Sequence, residues 1–143
     1  CEEMAKKLLL MMVLLLALIF AGCGGNQSGG DVASVQILDG NPSELYTDAD
    51  LAAAYQEIKD VFRKEFAGCT LTKLYYPGDS AAGGFQEWAA QYDADEAIII
   101  LSSFTVDSSG GDGSLNPNST YEDWQWILIR QDGGAWQHVD HGY

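Results

Sequence analysis

An apolar run from Leu8 to Phe20 ends at Ala21-Gly22-Cys23 and divides the chain into two unlike parts. Its length, about 13 residues, is short for a bilayer-spanning helix, which needs roughly 20. Met4-Ala5-Lys6-Lys7 gives the run a basic start. A basic start, a short apolar core and small residues behind it are the parts of an export signal. Residues 1–22 are therefore read as a signal peptide. The acidic Cys1-Glu2-Glu3 ahead of Met4 is read as extraneous to it. Ordinary secretory cleavage prefers small residues at the first and third positions before the cut. The third position here is the bulky Phe20, so a different kind of processing is expected.

Phe20-Ala21-Gly22-Cys23 resembles the lipobox of bacterial lipoproteins. It departs at Phe20, where that family usually carries Leu, Val or Ile. The resemblance implies a diacylglyceryl thioether on Cys23 and cleavage just before it. Two acyl chains would anchor the protein stably, whereas one chain binds only marginally. The implied location is extracytoplasmic, lipid-anchored to the cell membrane. Behind Cys23, Gly24-Gly25-Asn26-Gln27-Ser28-Gly29-Gly30 reads as a flexible tether. Residues 23–45 are expected to be linker, and residues 46–143 one domain.

The net charge of the 143-residue chain is −14. The segment ahead of Cys23 holds Lys6, Lys7, Glu2 and Glu3, so its removal leaves that charge unchanged. Such a surface repels phosphate backbones, which argues against nucleic-acid binding. Beside Cys23, Cys69 is the one thiol left after cleavage, and one thiol closes no internal disulfide. At the start of a predicted strand, it is expected to be buried and structural.

Leu51, Tyr55, Ile58, Phe62 and Phe66 recur at steps of four and three, predicting a helix over 48–67 with one apolar face. Thr47 is a candidate N-cap with Asp50 as its acidic partner, and Gly68 is placed to end the helix. A short extended segment is expected within 32–38. Cys69 to Tyr76 reads as a strand stopped by Pro77-Gly78. Asp79 or Ser80 is expected to cap a shorter helix carrying Phe85, Trp88, Ala89 and Tyr92. Glu96 to Val106 and Tyr121 to Arg130 are the next strands, and Asp132-Gly133 turns the chain into a last strand over 135–140. The Gly-, Ser- and Asn-rich stretch 107–120 is a long connection of the sort that often carries function.

These elements predict an α+β domain with a helix packed on a mainly antiparallel sheet and a second short helix. The closing pattern Trp124-x-Trp126-Ile-Leu-Ile-Arg130 … Gly134-x-Trp136-x-x-x-Asp140-x-Gly142, following a long early helix, resembles the NTF2-like (cystatin-like) superfamily, nearest to its DUF4829-like lipoproteins. One departure is that only one helix is clear before the first strand of the pattern. The resemblance covers residues 46 to 143. It implies a curved sheet wrapped on the helix as a cone with a pocket between them. The superfamily includes isomerases, cyclases and non-catalytic binding domains, so fold alone does not choose among them. Because such sheets often pair, a homodimer is open to it.

His138 and His141 are the two histidines of the chain. Three residues apart on a strand, they are expected on opposite faces, and a shared metal would need a bend near Asp140. His138 and Asp140 are expected to share a face with Trp136, and on the enzymatic version of the fold either would be the general acid or base. Trp124, Trp126, Trp136 and His138 are the pocket candidates. The oxygen-rich run Asp107–Asn116 lacks the ligand spacing of a calcium-binding EF-hand loop. No cofactor and no metal is expected. With no catalytic set in view, the sequence favours a non-catalytic binding or accessory domain, its ligand a protein or a small molecule. A small-molecule isomerase or cyclase using the cone pocket is the alternative.

Overall fold

The apolar stripe from Leu51 to Phe66 is realised in helix α1, Asp48–Glu65. Thr47 accepts a hydrogen bond from the Asp50 backbone N–H, and the Asp50 carboxylate accepts one from the Thr47 backbone N–H. This reciprocal cap satisfies two otherwise orphaned donors and sets acidic charge at the positive end of the helix dipole. Ala54, Tyr55, Ile58 and Phe62 are the buried positions of α1, with Phe66 just beyond it. Gly68, at φ 75, carries the chain out of the helix, as its place in the sequence suggests.

The computed structural model describes residues 29–38 and 42–143. Besides α1 it holds five strands: β1 (Gln36–Leu38), β2 (Cys69–Tyr75), β3 (Glu96–Val106), β4 (Thr120–Arg130) and β5 (Gln137–Gly142). They form one mixed sheet in sequence order. β1 runs parallel to β2, and β2 to β5 make an antiparallel meander. A short helix, α2 (Phe85–Gln91), interrupts the meander between β2 and β3 and packs against β3 and β4. The fold is thus α+β, with two helices and a five-stranded mixed sheet. No helix among the described residues is long and apolar enough to cross a membrane.

Register decides which side chains meet α1. Ile98 pairs with Leu128, Ile100 with Trp126 and Ser102 with Trp124, and these share one face with Phe104. Phe62 and Phe66 stack on each other at 4.9 Å and pack edge-on to Phe104, while Phe66 reaches Trp126 at 5.1 Å. The hairpin between β4 and β5 turns at Asp132 and Gly133, both with positive φ, the conformation a tight two-residue turn requires.

One local expectation is corrected. Asp79 does not cap a helix. The chain there forms a 3₁₀ segment over Asp79–Gly84, where the Gly83-Gly84 pair disfavours a full α-turn. The Asp79 carboxylate instead accepts hydrogen bonds from Ser43 Oγ, the Glu44 N–H and Tyr76 Oη. Residues ahead of β1 also pack against the body. The Gly30 N–H donates to the Phe62 carbonyl at 3.1 Å, and Asp31 bridges to β2 through the Cys69 carbonyl and the Leu71 N–H. Among the described residues, Gly30 and Asp31 are thus packed on α1 and β2.

A Cβ at Gly30 would lie 2.4 Å from the Phe62 ring and 2.5 Å from the Phe62 carbonyl oxygen. Gly30→Ala is expected to destabilise the fold by about 1–3 kcal/mol, measured by denaturant unfolding. Unchanged stability would mean that residues 29–31 do not seat against α1.

Candidate functional site

β5 does not alternate regularly. Ile127 pairs with Asp140, but the next residue of β4, Leu128, pairs with His138, so Val139 is an extra residue in the ladder. Such a β-bulge shifts the side-chain phase by one. His141 lies opposite Trp126 and His138 opposite Leu128, and both histidines point to the α1 face. The expectation that they face opposite ways is corrected, because the simple two-residue period fails at Val139. Asp140 pairs with Ile127 on the other face and is exposed, so its expected alignment with His138 is corrected for the same reason.

The two rings meet. His138 Nε2 and His141 Nδ1 are 3.1 Å apart, and the ring planes differ by 11°. One nitrogen donates and the other accepts, the direction following from the tautomer. The pair rests on Trp126, which is fully buried, at 5.5 Å from His138 and 5.2 Å from His141. Trp124 stacks on His141 at 5.8 Å and Phe66 meets it edge-on. Beneath this floor the Trp126 Nε1–H donates to Ser102 Oγ at 2.7 Å, and Ser102 Oγ donates to the Trp124 carbonyl. Ser102 is fully buried, and these bonds satisfy it.

Acidic groups surround the rings. Glu57 of α1 lies 3.5 Å from the His138 backbone N–H. Burial lowers the pKa of His138 from its ordinary 6.5, and the adjacent His141 lowers it further, while Glu65, Glu57 and Asp140 pull it up. A positive charge on His141, 3.1 Å away, disfavours one on His138.

Beside His141 opens a cleft of about 250 Å³, lined by Glu65, Phe66, Cys69, Asp112, Leu115 and Trp124 among others. Its roof is the 107–119 connection, which is folded rather than loose. Asp107 accepts from the Ser109 N–H and hydroxyl, and its backbone carbonyl accepts from Gly110 and Asn118. Cys69 is buried there, as expected. Burial, then the Asp107 and Asp112 charges, push its thiol up to about 11, so it stays protonated and is a poor nucleophile. The Trp124 indole N–H is buried without a hydrogen-bond partner.

The other sequence candidates lie elsewhere. Trp136 is buried at the opposite end of α1, donating from Nε1 to the Asp50 carbonyl at 3.0 Å. The Arg130 guanidinium covers its ring at 4.3 Å and pairs with Asp50 and Glu96. Trp136 thus fastens α1 to the sheet at the Asp50 end. Cys23 lies outside the described residues. A larger groove of about 650 Å³ runs between β1 and α1, with Ile37, Leu38, Leu51 and Tyr55 in its wall, at the sheet edge opposite the histidines. Among the described residues, no three or more His, Cys, Asp or Glu side chains are grouped to hold a metal ion. No family model, curated protein or solved structure matches the chain.

Sequence reasoning had both histidines and missed their contact, along with Ser102, Glu57 and Glu65. The four-residue steps from Glu57 through Val61 to Glu65 beside the apolar stripe were the available signal for the last two.

The lowered pKa of His138 has a sign. An unfolded imidazole takes up its proton near 6.5, and the folded one resists it. This contribution to stability is whole above that pH and is lost as the pH falls through the folded pKa. His138→Asn is expected to flatten the loss of stability on acidification just below pH 6.5, read from melting temperature against pH. An unaltered pH profile would contradict the buried, paired state of the ring.

Proposed function

We propose that this chain is an extracytoplasmic lipoprotein, anchored to a cell membrane through Cys23, whose domain is a non-catalytic binding or accessory module. The observation that carries the module reading is the filled interior. The space between α1 and the sheet, where a cone pocket would lie, is occupied by Phe62, Phe66, Phe104 and Trp126, each no more than 7% exposed. The cleft at His141 and Trp124 and the larger groove between β1 and α1 lie open beside this interior. That suits seating a small ligand or a partner's side chain better than enclosing a substrate.

The architecture is compatible with the NTF2-like (cystatin-like) superfamily, in having one helix laid on an antiparallel meander. An isomerase or cyclase of that kind is the second reading. The half-buried His138, with its lowered pKa, favours it, and the filled interior weighs against it. On either reading the anchor sets the position of the domain. Six residue steps separate Cys23 from Gly29, which is packed at the end of α1, and they span at most about 20 Å. The end of α1 and the cleft beside it would therefore be held near the membrane surface.

Cys23→Ser is expected to abolish acyl labelling and release the protein into the soluble fraction. Full membrane retention of the variant would refute the anchor.

A further inference from the structure

We infer that His138 and His141 form a two-nitrogen chelate for a divalent transition ion of the zinc or copper class, the remaining positions being taken by solvent. This deepens the reading of the cleft as a binding site by naming a ligand class for it.

The distance is the first ground. Two imidazole nitrogens on one ion, each bound at 2.0–2.1 Å, sit roughly 3.0–3.4 Å apart. His138 Nε2 and His141 Nδ1 are already 3.1 Å apart. The bulge at Val139 supplies the bend that a shared ion needs, and the ladder on either side of it holds both ring-bearing residues in place. Chelation uses the lone pairs of these two nitrogens, so the proton between the rings moves to the outer nitrogen of its own ring. His138 then carries N–H at Nδ1 and His141 at Nε2. No net proton is lost from a neutral pair.

Charge and chemistry are the second ground. Glu57 and Glu65 of α1 and Asp140 of β5 act on His138 by their charge, and Glu65 lines the cleft beside His141. They offset the charge of a bound cation. Two imidazoles with water match zinc or copper better than calcium or magnesium, which prefer oxygen alone. Trp126 and Phe66 pack against the rings and limit the motion that would separate them.

The test is titration of CuCl2 or ZnCl2 alone into the full chain in detergent, followed by heat and by tryptophan fluorescence. One equivalent of copper is expected to quench emission from Trp124 and Trp126, which touch the pair. Affinity should fall by more than about tenfold in His138→Asn and in His141→Gln, and on acidification of the wild-type protein. Several equivalents bound equally well by the variants would assign the ion to the acidic surface and overturn the proposal, as would no binding. If a variant does not fold, substoichiometric copper and the wild-type NMR spectrum decide. Broadening centred on His138, His141, Trp124 and Trp126 supports the site, and broadening spread over the carboxylates overturns it. Competition by a small imidazole- or carboxylate-bearing ligand for the cleft, read without metal, reports the binding-module reading separately.

Discussion

The contact of Phe62 and Phe66 with Phe104 and Trp126 positions everything else in this molecule. It presses α1 onto one face of the sheet, and each such aromatic pair adds about 0.5–1.5 kcal/mol beyond the area it buries. The same seam reaches outward in two directions. At Phe62 it receives Gly30, whose lack of a side chain lets the backbone close on the ring. Through Phe66 and Trp126 it becomes the floor on which the two histidines lie. At the far end of α1, Arg130 and Trp136 hold the helix to β4 and the start of β5 through Asp50, whose carboxylate also caps the helix. The helix is thus fixed at both ends and in the middle, and the cleft inherits that rigidity.

A single extra residue converts this scaffold into a site. Without Val139 in the ladder, regular alternation would place one histidine on α1's face and the other on the opposite face. With it, two imidazoles of a strongly acidic chain come into contact beside a cleft and against indole rings. Two polar rings packed half-buried on aromatic carbon are costly unless their nitrogens are satisfied, and each ring satisfies one nitrogen of the other. The interaction therefore has a structural function even before any ligand is considered. A bulge at such a place is also a common way for sheets to re-aim side chains toward a site.

Much of the fold was legible in the sequence because strong periodicity and capping chemistry agree. The Leu51–Phe66 stripe, the Thr47–Asp50 box, the Ala97–Leu101 run and the Asp132-Gly133 turn each say one thing, and the structure says the same. The site was less legible. A bulge leaves no reliable mark in Gln137-His-Val-Asp-His-Gly142, where each residue is tolerable on either face. The role of Gly30 was hidden because a glycine needed for close approach looks like one in a tether until the partner ring is placed. Trp136 misled because an aromatic near a histidine in sequence is separated from it here by the path of the chain, which takes Trp136 to Asp50 and His138 to Glu57.

The contact between the two histidine rings is what makes the bulge a site. The most direct measurement is nitrogen NMR of the ring atoms in uniformly labelled protein. A scalar coupling is expected between His138 Nε2 and His141 Nδ1 across one N–H···N hydrogen bond, with the signals of both rings moving together as the pH is lowered. Two rings without coupling that titrate independently of each other would contradict the contact, and with it the reading of the bulge as the feature that builds the site.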